Sequence, residues 1–261
     1  MSHFKAPPKK NLGQHFLTDR NIIEQIVYAV DPKPGDSLVE IGPGQGAISF
    51  PLLKKHGHLT VIEFDRDLIT PLSEAAHGLG ELTIVHKDVL QVDFNKLGAD
   101  QAIRLIGNLP YNISTPILFH VLSHCQKIQD MHFMLQKEVV ERMAAEPGSK
   151  VYGRLSVTLQ ALCEVIPLFD VPPHSFNPPP KVDSAVVRLI PRPLDTVGIR
   201  DPAVFAAVVR DAFGQRRKTL RNALAKLCTS EQMQAVDIKP ESRAEQLPVS
   251  AFIRLANLLS E

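Results

Sequence analysis

Five stretches in the first 140 residues pack apolar residues almost without interruption: "SLVEIG" from Ser37, "LTVIEFD" from Leu59, "LTIVHKD" from Leu82, "IRLIGNLPY" from Ile103 and "MHFMLQKE" from Met131. Short runs of Val, Ile and Leu that end in polar or turn residues predict strands covered on both faces. Between them the apolar positions recur at helical spacing, which predicts helices over 18–30, 47–56, 66–77 and 114–124. This alternation is that of a mostly parallel sheet with crossover helices, an α/β architecture. The segment "LFDVPPHSFNPPPKVDSAVVRLIPR" interrupts it, because its prolines exclude a helix interior and "SAVVRLI" reads as one more strand. Beyond "PRPLDTVGIRDP" only helical patterns remain. Asp201 followed by Pro202 makes an N-cap and first-turn pair for "AVFAAVVRDAF", and Ser250 is placed to cap "AFIRLANLLS". The expected division is an α/β domain over 1–191 and a small all-helical domain over 192–261.

Composition narrows the class without deciding it. A chain of 261 residues, 44% hydrophobic and 22% charged, can bury a sizeable core, and no apolar run reaches the length of a membrane span. No apolar stretch of signal-peptide length opens the sequence, and the three cysteines lack any paired spacing, so a reducing, cytoplasmic location is expected and a disulfide framework or cysteine metal site is not. The net charge of +1 means that a nucleic-acid partner would need a local basic patch. Such a patch exists. From Lys181 to Glu261 there are thirteen Lys and Arg against nine Asp and Glu, and five of the cations lie in "GQRRKTLRNALAK". No acid separates Arg216 from Lys226, so intrahelical ion pairs do not account for Arg216, Arg217, Lys218 and Arg221. They are either RNA-backbone contacts or a solvated helix face.

The turn "VEIGPGQG" sets Gly42, Gly44 and Gly46 between a strand and a helix, where glycine lets the backbone approach a ligand. Twenty-one residues beyond Gly42, the next strand ends in Glu63, a carboxylate placed to accept from both hydroxyls of a ribose, and the third strand ends near Asp88, placed to accept from an adenine amino group. A dinucleotide enzyme would share part of this pattern. With Glu40 ahead of the glycines and Pro43 between two of them, the turn is similar to motif I of the class I methyltransferases, whose ligand is S-adenosylmethionine.

The fourth strand ends in Asn108-Leu109-Pro110-Tyr111, which resembles the [DNS]-P-P-[YF] tetrad of amino-methyltransferases. An adenine amino lone pair is delocalised into the ring and is a poor nucleophile. Accepting its two N–H groups, through the Asn108 amide oxygen and the Leu109 carbonyl, favours a pyramidal nitrogen, so positioning and electrostatics carry the reaction. Pro110 fixes where those oxygens aim, and Tyr111 can stack on a flipped base. A strand-end turn with a packed tyrosine is the bland alternative. His120 and His124, one helical turn apart, have a spacing that can bind zinc, but they lack an acidic partner and no metal site is expected.

Taken in order, "NLGQHFL", "VEIGPGQG", "GNLPYNISTPIL", "LQKEVVERM", "YGRLSV" and "FNPPPKVDSAVVRL" resemble the motifs of the ribosomal RNA adenine dimethyltransferases, the bacterial small-subunit branch in particular, over residues 9–190. The resemblance implies a Rossmann-like class I methyltransferase domain with a helical C-terminal domain that binds RNA. It also implies a monomer that dimethylates two adjacent adenosines at N6, in a loop near the 3′ end of 16S rRNA in the small (30S) subunit, late in ribosome biogenesis. Carried over by position, His15 and Leu17 would line the cofactor entrance, Gly42 and Gly44 the methionine side, Glu63 the ribose and Asp88 the cofactor adenine. Asn108 would touch both cofactor and target amine. Phe176 would either face Tyr111 across the target adenine or anchor the proline loop. Two rivals stay open: a dimethylase of the large subunit, and an assembly factor that binds RNA without chemistry.

Overall fold

The computed structural model describes residues 4, 6–9, 12–98, 101–215 and 217–260. The chain begins with a two-residue strand β1 (Phe16–Leu17), then α1 (Arg20–Val30), β2 (Ser37–Ile41), α2 (Ser49–His56), β3 (His58–Glu63), α3 (Arg66–Ala76) and β4 (Glu81–His86). It continues through β5 (Ile103–Asn108), α4 (Ser114–Leu122), β6 (Ile128–Gln136), α5 (Lys137–Met143), α6 (Arg154–Leu162), β7 (Cys163–Val171), β8 (Phe176–Asn177) and β9 (Ser184–Pro191). The remainder is helical: α7 (Leu194–Val197), α8 (Pro202–Gly214), α9 (Leu220–Ala223), α10 (Ser230–Ala235) and α11 (Val249–Leu258).

Local chemistry sets the ends of these elements. The Asp19 side chain accepts from the amides of Asn21 and Ile22 to start α1, whose Ile22, Ile26 and Val30 recur every fourth residue and are buried. Asp31 stops the helix in a left-handed conformation ahead of Pro32. Asp201 caps α8 as its position suggests, accepting from Ala203 and Val204. Ser250 does not cap α11. The helix starts two residues earlier than that cap implies, at Val249, because Pro248 supplies the extended backbone that precedes it.

Seven strands form one sheet in the order β4-β3-β2-β5-β6-β9-β7. The pairs β2–β3, β3–β4, β2–β5 and β5–β6 are parallel, and β9 runs antiparallel to β6. Leu38, Leu59, Val61, Ile106, Met134 and Val186 pack from the strands against Ile22, Ile26 and Val30 of α1 and against Leu52, Leu53 and Leu72 of α2 and α3. The alternate positions Val39, Ile41, Leu105 and Phe133 are equally buried, so both faces are covered. With the strands parallel, the carboxyl ends of β2, β3, β4 and β5 open at one edge, on either side of the point where strand order reverses between β2 and β5.

At the opposite edge of the sheet lies a buried ion cluster. Arg104, 6% exposed, grips Asp130 through Nε and Nη2 at 2.8 and 2.9 Å and donates to Asp36 at 2.7 Å and to the Val30 carbonyl at 2.7 Å. Arg188 reaches the same Asp130 at 2.8 Å. Burial by itself would raise the Asp130 carboxyl; the Arg104 guanidinium holds it below its ordinary value.

The chain divides into two compact units, Met1–Val140 with Ile166–Pro191, and Glu141–Val165 with Arg192–Glu261. The expected domain of 1–191 is thus interrupted: residues 141–165 belong with the helical unit. The cause is packing, since Ala145, Tyr152, Val157 and Ala161 are buried among Phe205, Val208, Leu224, Phe252 and Leu255, and the Tyr152 hydroxyl donates to the Leu247 carbonyl at 2.9 Å. No helix among the described residues is long and apolar enough to cross a membrane.

Candidate active site

The strand ends and the N-terminal segment enclose a cavity of about 290 Å³ within the first unit. His15, Leu17, Gly42, Gly44, Glu63, Asp88, Asn108, Leu109, Pro110 and Tyr111 all line it. Gly42 and Gly44 hold φ of +68° and +55°, where a side chain is strained. A Cβ on Gly44 would also stand 3.1 Å from the Phe16 ring, whereas the Cβ direction of Gly42 runs into space beside the Asn108 carbonyl. The glycine turn therefore bares backbone next to the tetrad, and with it the approach that a ligand needs.

Each polar group has a defined partner. Glu63, 6% exposed at the end of β3, accepts from the Asp65 amide at 2.6 Å, and burial raises its carboxyl above the ordinary value. Asp88 uses one oxygen for the Leu90 amide at 2.9 Å. The Asn108 amide nitrogen donates to the His15 carbonyl at 3.1 Å. A carbonyl only accepts, so the nitrogen end of the amide faces His15, and the oxygen end has no hydrogen-bond donor among the described residues. The ladder continues through the Leu109 amide to Met134 at 3.1 Å, and the Tyr111 hydroxyl is tied to Ser184 at 2.6 Å. Burial raises the Tyr111 phenol, which stays neutral.

Phe176 is the residue that the structure places elsewhere. It does not line the cavity; it is 3% exposed, pairs with Leu17 in the small β1–β8 ribbon and packs in the core with Leu17 and Ile22. The ring lying against Tyr111 is instead the His15 imidazole, at 5.6 Å between centroids and 23° between planes. Its Nδ1 donates to the Pro178 carbonyl at 2.8 Å. Hydrophobic burial against β1 outcompetes exposure of the phenylalanine, which leaves it the anchor of the proline loop.

Several contacts at the site come from far apart in the chain. Lys9 bridges Asp65 and Asp67 at 2.5 and 2.7 Å, Gln14 donates to Asp65 at 2.9 Å, and Gln45 holds the Ala6 carbonyl at 3.0 Å. Together they tie the N-terminal segment to Asp65 and Gln45 of the cavity wall. No local pattern marks these pairs. Phe64, 59% exposed on the rim between Glu63 and Asp65, did carry a signal, as a large aromatic ring between two acids at a strand end.

His120 Nε2 bonds the Val92 carbonyl at 2.8 Å and His124 Nδ1 the His120 carbonyl at 3.0 Å, both packed on Phe94. Arg217, Lys218 and Arg221 lie in the second unit, exposed, on the turn between α8 and α9 and the start of α9 rather than along one helix. Arg216 lies outside the described residues.

A sheet of this order, with a glycine turn, strand-end carboxylates and an Asn-Leu-Pro-Tyr tetrad around one cavity, defines a class I methyltransferase built for amino groups. The family model described as ribosomal RNA adenine dimethylase matches residues 6–261. The chain is 66% identical to Ribosomal RNA small subunit methyltransferase A of Xanthomonas campestris pv. campestris (strain B100), and 67% identical to that of Xanthomonas oryzae pv. oryzae (strain PXO99A), over 98% of each chain in both cases. Among solved structures it resembles a dimethyladenosine transferase from Plasmodium falciparum, with TM-score 0.80 and 28% identity over 92% of this chain and 96% of that one. The 23S rRNA methyltransferase ErmE shares the fold, with TM-score 0.72 and 24% identity over 94% and 100%. The chain belongs to the ribosomal RNA adenine dimethylase family, and its activity is the S-adenosylmethionine-dependent methylation of ribosomal RNA adenine. The cavity residues suit that cofactor: an uncovered glycine backbone, and two buried carboxylates, Glu40 and Glu63, with no lysine or arginine ion-paired to either among the described residues.

Proposed function

We propose that this chain dimethylates N6 of two adjacent adenosines in a loop near the 3′ end of 16S rRNA, acting in the cytoplasm as a monomer on the small (30S) subunit late in its assembly. The observation that carries the chemistry is the pinned Asn108 amide of the cavity wall, whose nitrogen is committed to His15 and whose oxygen is thereby left to accept.

Bound S-adenosylmethionine supplies a methyl group on a sulfonium centre. Glu63 holds the ribose hydroxyls, Asp88 accepts from the cofactor adenine through its remaining oxygen, and Gly42 and Gly44 receive the methionine part. The Asn108 oxygen and the Leu109 carbonyl accept the two N–H groups of the target, turning its lone pair toward the methyl group. Loops of RNA present unstacked bases, which lowers the cost of flipping one onto Tyr111. A base between Tyr111 and His15 needs roughly 7 Å, twice the ~3.4 Å spacing of stacked bases. Their centroids are 5.6 Å apart, so His15 moves aside when the target enters. Phe176 acts from behind, holding Leu17 and with it the short strand that His15 precedes. Arg217, Lys218 and Arg221, which form no ion pairs among the described residues, serve the RNA backbone, with Arg216 assigned beside them on sequence alone.

The test is transfer of tritiated methyl groups to unmethylated small subunits, with large subunits as control. Incorporation of four methyl groups per small subunit, two on each adenosine, is expected. Incorporation into large subunits alone would overturn the assignment.

A further inference from the structure

Glu40 is one of the buried carboxylates that suit the cavity to its cofactor, but no part of the cofactor has been assigned to it. It sits near the end of β2, 1% exposed, yet it lines the cavity. Its partner is neutral: Ser49 Oγ donates to it at 2.6 Å. Glu63 stands on the neighbouring strand in the same wall, also bonded to a neutral donor, the Asp65 amide. Two carboxylates thus share one largely apolar cavity, and among the described residues no lysine or arginine is ion-paired to either. The other charged groups around them do not supply such a partner. Asp88 adds negative charge, Asp65 is occupied by Lys9, and Lys87 is exposed at the rim. His15 is turned to the Pro178 carbonyl and Tyr111 to Ser184. Burial first, and the Glu63 charge in addition, push Glu40 up to about 7 against the pull of the Ser49 hydrogen bond. At neutral pH the ligand-free protein therefore carries a proton on Glu40 in a substantial fraction of molecules.

We propose that Glu40 releases this proton to solvent when S-adenosylmethionine binds, so that cofactor affinity is linked to pH through a residue that is not itself part of the methyl-transfer chemistry. The inference rests on the cofactor role of the cavity given above. The carboxylic O–H bond breaks, the proton passes to buffer, and the carboxylate left behind offsets the positive charge that the sulfonium and ammonium groups bring. No electrons are transferred. The sign follows from linkage: a form that must be ionised to bind well binds less well once protons compete. With the free value near 7, about nine in ten Glu40 side chains are protonated at pH 6 and about half at pH 7. Affinity for S-adenosylmethionine should fall about fivefold from pH 7 to pH 6 and about tenfold per unit below that.

Titration calorimetry of the intact chain at pH 6 and pH 7, in buffers of different ionisation enthalpy, reads the protons released directly. The expected result is about 0.9 proton per S-adenosylmethionine at pH 6 and about 0.5 at pH 7, against none for adenosine, a neutral probe of the same cavity. Glu40→Gln should abolish the release and flatten the affinity profile. Ser49→Ala, which removes the bond that lowers Glu40, should move the release to higher pH. Binding of S-adenosylmethionine without buffer-dependent heat, equal release with adenosine, or release that persists in Glu40→Gln would each overturn the proposal while leaving the cofactor reading intact. Failure of the wild-type protein to bind S-adenosylmethionine at all would overturn both.

Discussion

The two edges of the central sheet bury charge in opposite ways. At the amino edge, Asp130 is 1% exposed and answered by Arg104 and Arg188, with Asp36 and the Val30 and Asp31 carbonyls as further partners of the Arg104 guanidinium. At the carboxyl edge, Glu40 and Glu63 are nearly as buried and, among the described residues, are answered by neutral donors, the Ser49 hydroxyl on Glu40 and backbone amides on Glu63. A buried charge is costly unless paired, so the closed set serves the fold and the open one awaits a ligand. Burial fraction alone does not separate the two; the partner inventory does. The shifts follow it, Asp130 being lowered and both glutamates raised.

The comparison breaks most sharply at Arg104. Arg104→Ala leaves Asp130 buried without its two-pronged partner, and a loss of about 3–5 kcal/mol in unfolding free energy is expected from urea denaturation. Because Asp130 lies below its unfolded value, its contribution is present above that value and fades as pH falls through the folded one, so the gap between variant and wild type narrows in acid. A loss under about 1 kcal/mol would mean that the amino edge is no more committed to stability than a surface pair.

At the other edge, substitutions should cost function and spare the fold. Asn108→Ala is expected to reduce kcat by ~10²-fold or more while small-subunit affinity survives, because the free amide oxygen is lost but the RNA contacts are not. Near wild-type turnover would remove Asn108 from the mechanism. Glu63→Ala removes the acceptor for two hydroxyls, each charge-assisted bond being worth roughly 1.5–3 kcal/mol, so the Kd for S-adenosylmethionine should rise tenfold or more by calorimetry. An unchanged Kd would reassign the ribose. The smallest effect is expected outside the sheet altogether. Arg217→Glu with Arg221→Glu should flatten the dependence of log K on log salt for small-subunit binding by roughly 0.7–0.9 per lost phosphate contact, with cofactor affinity untouched. A slope equal to wild type would make the patch solvated surface.

Much of the carboxyl edge was legible in the chain because its determinants are local. Glu63 ends the apolar run that forms β3, the tetrad starts at the last residue of β5, and Gly42 and Gly44 lie in a turn whose φ values demand them. Asp19 and Asp201 cap helices through residues two and three positions on. The basic cluster was visible as composition, but its placement on a turn was not, since charge spacing alone does not distinguish a helix face from a loop.

What the sequence by itself determined was therefore the most periodic part of the protein: strands β2 to β6 with helices α1 to α4 between them, the strand ends where a ligand is met, and the residue types that meet it. These follow from interactions within a few residues of each other, whose geometry repeats wherever the pattern occurs. Only the tertiary structure decided which distant segments share space. It buried Phe176 beside Leu17 and laid His15 on Tyr111, strapped Lys9 to Asp65, joined residues 141–165 to the helical unit, and closed Arg104 around Asp130. The physical reason is that packing is a competition among all surfaces for the same core. An aromatic ring or a carboxylate looks alike in sequence whether it is sealed by a neighbour or left facing a cavity, and only the partners brought to it decide which.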